Sequence, residues 1–187
     1  YLAPAMVQEL SRNPDALKLG GEVVEASAVF TDLADFTSIS EGLGAEQLIG
    51  MLNAYFSAIA KVVFEEGGTL IKFIGDAMFI LWGAPVAMSD HARRAAHAAL
   101  KIQAAVEAFN KQGLYPPLVT RVGVNSGKMV VGNLGAETRF DYTAIGDSVN
   151  LASRVEGLNK YLGTSVLITE DTQRAAQVAD ALRMGTM

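Results

Sequence analysis

The sequence predicts an α+β sandwich in which helices cover an antiparallel or mixed sheet. Three observations carry this. Short apolar stretches rich in β-branched residues read as strands, and two longer segments carry a helical stripe. Strands and helices also mix without the sustained βαβ spacing of a doubly wound sheet. At 187 residues, 50% hydrophobic and 19% charged, the chain suits one domain with a sizeable core, with or without a short appendage.

Residues 1–21 read as a linker: a short helical stretch from Pro4 to Leu10, then the turn-rich NPDALKLGG. From Glu22, EVVEASAVFTD reads as a strand. Beyond Glu46, Leu48, Leu52, Tyr55, Ile59 and Val62 form a helical stripe that Gly67-Gly68 ends. TLIKFIGDAMFILWGAP, from Thr69 to Pro85, reads as a hairpin. Asp90 opens a second amphipathic helix with Ala95, Ala99, Ile102, Val106 and Phe109 on one face. VTRVGVNSG and KMVVGNLG suggest two short strands around Gly127, followed by a polar connection, LGAETRFD, and a brief extended piece, TAIGD. Asp147 or Ser148 can cap a helix running to about Tyr161. SVLIT is a last strand, and a short helix starts at Glu170.

Composition narrows the chemistry. A net charge of −5 argues against a nucleic-acid groove, because phosphate backbones need a basic surface. The chain has no cysteine, which excludes disulfides, zinc–thiolate sites and cysteine nucleophiles. AMFILWGAPVAM is too short and too broken to span a bilayer, and no signal peptide is visible. A start at Tyr1 rather than Met leads us to expect an excised piece, with upstream membrane segments left open.

Several familiar sites fail on inspection. GVNSGKMV is one residue short of a phosphate loop and has Met129 where a Ser or Thr should bind magnesium. GLGAEQ lacks the third glycine of a dinucleotide fingerprint. His91 and His97 lie on the amphipathic helix with no carboxylate pattern around them, and no Ser–His–acid order supports a hydrolase. Carboxylates, two cations and phosphate-friendly turns remain, an inventory suited to metal-assisted phosphoryl chemistry.

Asp32 ends the first strand in VFTDLADFT, and Asp76 sits at the hairpin tip in FIGDAM. If the two segments are adjacent central strands, both carboxylates meet at one edge of the sheet and repel unless a cation lies between them. Magnesium suits such a pair. Taken singly, Asp32 is equally a helix cap and Asp76 a turn residue. Lys72 lies four residues before Asp76, so a salt bridge between them is the plain alternative. Asn150 and Arg154 share a helix face that spacing alone would call a solvated one.

FTDLADFT, IKFIGDAMFILWG, RVGVNSGKMVVGNLG and DYTAIGDSVNLASRVE resemble, in order and spacing, the class III nucleotide cyclase catalytic domain. The resemblance covers about Glu22 to Asp171. It implies a ferredoxin-like α+β sandwich, a mostly antiparallel sheet covered by helices, with residues 22–187 as the catalytic domain. It also implies an adenylyl cyclase that turns ATP into 3′,5′-cyclic AMP and pyrophosphate in signal transduction. Asp32 and Asp76, helped by the Leu33 carbonyl, would hold two Mg2+ ions, with Mn2+ able to substitute. Phe36 and Thr37 N–H groups and Lys128 would contact phosphates. Lys72 and Thr143 would read adenine, Asn150 would orient the ribose, and Arg154 would stabilise charge on the α-phosphate.

Other implications concern assembly. The resemblance implies a homodimer with two shared sites, in which Asp32, Asp76 and Lys128 of one subunit face Lys72, Thr143, Asn150 and Arg154 of the other. LGAETRFD falls where the family has an arm reaching across the dimer. Residues 1–21 then become a connector to an upstream sensor, and the catalytic domain is expected to be cytoplasmic, with any membrane anchor elsewhere. The family has glycine where this chain has Asp35, and it continues past Met187 with strands that carry a further triphosphate-binding lysine. The C-terminal strands are therefore expected to be truncated. A guanylyl cyclase and a weakly active pseudocyclase stand as the alternatives. No diguanylate cyclase motif is present.

Overall fold

Residues 19–136, 138–182 and 184 are described in a computed structural model of the chain. The expected connector lies almost wholly outside them. The first strand begins slightly before Glu22, as β1 (Gly20–Leu33). Then come α1 (Phe36–Glu41), α2 (Ala45–Glu65), the hairpin β2 (Thr69–Ile74) and β3 (Ala77–Trp82), α3 (His91–Asn110) and β4 (Thr120–Ala136). β5 (Arg139–Ile145), α4 (Asp147–Leu162), β6 (Val166–Ile168) and α5 (Glu170–Ala176) complete the order.

The sheet runs β2–β3–β1–β4–β5, with β6 also paired to β4. Among the described residues every pairing is antiparallel except that of β6 with β4. From β1 to β4 the chain is a βαββαβ unit, which is the ferredoxin-like sandwich. The alternation of β1 assigns its two faces. Val29 and Leu33 point into the core beneath α2 and α3, with Ile59, Ile80, Trp82 and Ile102. Ala26, Ala28 and Phe30 point the other way, where α4 brings Val149 and Ala152.

The stripe of α3 is buried as its periodicity predicts: Ala95, Ala99, Ile102, Val106 and Phe109 all lie in the core. On α2 the fully buried line is Met51, Tyr55, Ile59 and Val63, while Leu48, Leu52 and Val62 pack at its margin. By length and mean hydropathy α2 would pass for a membrane span, but that line of four is fully buried against the sheet.

Three expectations are corrected. β4 is one continuous strand of 17 residues, not two strands around Gly127, because Gly127 keeps its place in the ladder opposite Ala26. The polar LGAETRFD is largely hairpin, with Leu134 opposite Asp141 and Ala136 opposite Arg139. The N-cap of α4 is Gly146, at φ 135 and without a capping side chain. Asp147 is therefore the first helical residue, where its charge suits the positive end of the helix.

α4 lies unusually close to β4 because Gly123 has no side chain. A Cβ there would run into the backbone of Glu156 and the carbonyl of Ala152. Gly123→Ala is expected to destabilise the fold by about 1–3 kcal/mol, the usual range for overpacking. Gly157→Ala, with nothing near its added methyl, should be neutral or stabilise by up to about 1 kcal/mol. Urea unfolding of the two variants checks this, and equal effects would contradict the close helix–strand contact.

Candidate active site

β1 and β3 are neighbours with Thr31 opposite Met78, so the end of β1 lies beside the turn between β2 and β3. That turn has only two residues, Gly75 and Asp76, between the paired Ile74 and Ala77. Gly75 takes φ 63, the positive value that two-residue hairpins require. The short turn therefore delivers Asp76 to the end of β1, where its Oδ2 accepts the Leu33 N–H at 3.3 Å. Asp32 and Asp76 thus meet, as adjacency of their strands required.

Two residues that the motifs did not single out complete this cluster. Arg121 stands opposite Asp32 in the β1–β4 ladder, with its guanidinium 3.9 Å from Asp32 Oδ2. Glu156 comes from α4, and its Oε1 is buried with no hydrogen-bond partner among the described residues. The sequence signals were an arginine inside an apolar strand, TRVGV, and a carboxylate on the sheet side of a helix.

Burial pushes Asp32 up to about 6, and hydrogen bonding to Asp76 and the Asp76 charge act in the same direction. Arg121 and the Leu33 N–H oppose them. Burial likewise pushes Glu156 up to about 7, assisted by Asp32 and Asp76 and opposed by Arg121. Three carboxylates around one guanidinium leave an excess of negative charge that a divalent cation would relieve. No three His, Asp or Glu side chains gather into a ligand cluster among the described residues. A cation here would draw the rest of its shell from the Leu33 carbonyl, water and phosphate oxygens, which fits magnesium.

Beyond β1 the chain turns through Asp35, which adopts φ 55 and ψ 29. This left-handed conformation explains why glycine is expected there. Aspartate is one of the few other residues that tolerates it. Asp35 is exposed and caps nothing with its side chain. The first backbone bond of α1 is Ile39 N–H to Asp35 O, so the Phe36 and Thr37 N–H groups stand outside the helical ladder.

The remaining expected residues lie further off. Lys72 is exposed on the edge strand β2, opposite Phe79. It makes no ion pair with Asp76 among the described residues, because Asp76 turns toward Leu33 instead. Thr143 is half-buried on β5, opposite Gly132, so β3, β1 and β4 separate its strand from that of Lys72. Asn150 and Arg154 are exposed on α4, while Val149, Ala152 and Val155 are buried. Arg121, and not Arg154, is the cation that acts on Asp32 and Glu156.

Lys128 requires a correction. It stands opposite Glu25, roughly 24 Å along β4 from Arg121 at about 3.4 Å per residue. Alternation also places it on the sheet face opposite that of Arg121. Within one chain it does not belong with Asp32 and Asp76. The histidines are accounted for structurally: buried His91 bonds Ser27 Oγ through Nδ1 at 2.8 Å, and His97 lies 3.4 Å from Glu66.

With this geometry the chain meets known proteins. Residues 21–184 match the family described as Adenylate and Guanylate cyclase catalytic domain. Adenylate cyclase 1 of Rhizobium meliloti (strain 1021) is 49% identical over 147 residues, covering 76% of this chain and 22% of that protein. The crystal structure of the guanylyl cyclase Cya2 superposes with a TM-score of 0.78 at 38% identity, covering 84% of this chain and 81% of that one. The adenylyl cyclase CyaB from P. aeruginosa gives a TM-score of 0.75 at 33% identity, over 86% of this chain and 84% of that one. The chain belongs to this family and carries a nucleotide cyclase catalytic domain. It spans less than a third of the length of the curated relatives that it matches.

The raised carboxylates give a signed pH dependence. A carboxyl whose pKa rises on folding stabilises the fold at low pH and loses that contribution as pH climbs through the folded value. Without metal, thermal stability should therefore fall between about pH 4 and 7, from Asp32 at about 6 and Glu156 at about 7. Magnesium or manganese added at pH 8 should restore it, and Asp32→Asn should weaken both effects. Melting curves across pH with and without metal check this. A flat profile would contradict the carboxylate cluster.

Proposed function

We propose that this domain is an adenylyl cyclase catalytic domain that converts ATP to 3′,5′-cyclic AMP and pyrophosphate in signal transduction. The observation that carries the reading is the Asp32–Asp76 pair at the end of β1, two crowded carboxylates beside an open helix start. In this reading Asp32, Asp76 and the Leu33 carbonyl hold two Mg2+ ions, which Mn2+ can replace. When bound, the ions supply charge neutralisation and acidify the ribose 3′-hydroxyl.

The protein's own groups do the rest by binding and orientation. Phe36 and Thr37 N–H groups receive phosphate oxygens, as free donors at a helix start can. Asn150 orients the ribose, and Arg154 donates to the α-phosphate, where charge builds as the 3′-oxygen attacks and pyrophosphate departs. Lys72 donates to adenine N1 and the Thr143 hydroxyl accepts from N6. The exposure of Lys72, with no carboxylate in ion-pair reach among the described residues, supports that role. Lys128, opposite Glu25 on the sheet face away from α4, is given no part in this reading.

Each chain holds both sets of residues. Its Asp32 responds to Arg121 and not to Arg154, and its Lys72 does not pair with Asp76. That separation supports a homodimer with two sites shared across the interface, and an inactive monomer. An upstream sensor that sets dimer geometry, and a cytoplasmic placement of the catalytic domain, belong to the same proposal.

Likeness to a protein named guanylyl cyclase at 38% identity makes GTP the second substrate to test. Guanine reverses the donor–acceptor order of adenine at this edge, and a lysine donor suits adenine. The purified chain, incubated with ATP or GTP and magnesium or manganese, should yield cyclic AMP in at least about tenfold excess over cyclic GMP, a modest base preference of about 1.4 kcal/mol. Cyclic GMP in excess would overturn the role of Lys72 and Thr143. No cyclic product from a dimeric chain would leave a nucleotide-binding pseudocyclase.

A further inference from the structure

The stretch GVNSG resembles a phosphate loop without being one, and its structural role is different. Gly123, Asn125 and Gly127 occupy alternate positions of β4, all on the face that α4 covers. At Gly123 the backbone of Glu156 and Ala152 approaches the strand directly. At Gly127 the Ser148 hydroxyl lies 2.7 Å from where a Cβ would stand. Between these two gaps Asn125 is the one side chain facing the helix, and it is 2% exposed.

Asn125 bonds the helix backbone: its Nδ2 donates to the Ser148 carbonyl at 2.8 Å. Its Oδ1 accepts the Thr169 hydroxyl at 2.7 Å. The orientation of the amide is settled, because a carbonyl only accepts and Nδ2 must face it. Thr169 is held in turn, since it caps α5 by accepting the Thr172 N–H at 3.2 Å and donates its own N–H to Val124 O at 3.0 Å. At the other end of α4, Asn159 Nδ2 donates to Val122 O at 3.1 Å. The helix is therefore tied to β4 at both ends. Its first turn gets no help from Gly146, which has no capping side chain.

We infer that Asn125 is a positioning residue, which fixes the first turn of α4 over β4 and thereby sets where Asn150 and Arg154 stand. Ser148, the residue that it grips, lies two positions before Asn150. The inference rests on the proposed roles of Asn150 and Arg154, and it extends them to a side chain that never touches substrate. Displacement of a reacting-site group by about 1 Å can cost around a hundredfold in rate, whereas binding through Asp32 and Asp76 on β1 and β3 should hardly change.

The test uses Asn125→Asp, which keeps the shape and the Thr169 bond but deletes the donor. Ser126→Ala serves as control, because Ser126 belongs to the same buried polar network through Ser27 and Thr172 but does not touch α4. Asn125→Asp should lower kcat for cyclic nucleotide formation at least about tenfold with KM within about threefold. Amide exchange at Val149 to Ala152 should quicken, while Ser126→Ala keeps kcat within about twofold. An unchanged kcat, a parallel loss in both variants, or unchanged exchange would overturn the inference. If Asn125→Asp does not fold, Thr169→Val, which frees the amide to rotate, takes its place with the same split expected. If the wild-type chain makes no cyclic product, the proposed function fails, and exchange alone decides whether Asn125 anchors the helix.

Discussion

The approach of Asp32 and Asp76 is the constraint around which this domain is organised. Two carboxylates on neighbouring antiparallel strands, one at a strand end and one in a two-residue turn, cannot separate without unpairing β1 from β3. The Leu33 N–H holds Asp76 in place, and Arg121 offsets part of the repulsion from the other flank. What remains is a concentration of negative charge that the fold imposes and that a bound proton or a divalent cation relieves. The large core beneath α2 and α3 supplies the rigidity that keeps the carboxylates together. Fully buried Tyr55 and Ile59 of α2 share that core with Ile80 and Trp82 of β3 and Val29 of β1.

The opposite face of the sheet has a different task. A βαββαβ unit leaves that face bare, and here α4 covers part of it through contacts of unusual closeness. Gly123 admits helix backbone, Gly127 leaves room for the Ser148 side chain, and two asparagines tie the helix down. This explains how one helix can present Asn150 and Arg154 to solvent while its other side carries Glu156 to the aspartate cluster. Both halves of the proposed site are referred to a single strand, β4, which also carries Arg121. A shift of α4 along β4 would disturb both sites of a dimer at once.

Much of this was legible in the sequence because it depends on local pattern. The stripes of α2 and α3 and the hairpin around Gly75 follow from periodicity and turn chemistry, whereas the meeting of Asp32 and Asp76 was conditional on their strands pairing, as β1 and β3 do. What was not legible depends on partners distant in sequence. Gly127 reads as a break, yet β1 pairs across it and keeps β4 whole. Asp35 reads as a defect in a phosphate turn, yet its left-handed backbone is one that aspartate accommodates. Lys128 looks like a neighbour of the aspartates until the ladder places it opposite Glu25. Arg121 and Glu156 gain meaning only from the register that brings them to Asp32.

The central claim is that each chain contributes different residues to two sites, and one mixing experiment addresses it directly. Asp76→Ala and Arg154→Ala chains, each inactive alone, should recover activity when combined, because a heterodimer then contains one intact site. Random pairing at equal concentrations should restore about a quarter of the wild-type rate, with half the dimers mixed and one good site in each. Heterodimers that demonstrably form yet stay inactive would contradict the shared site.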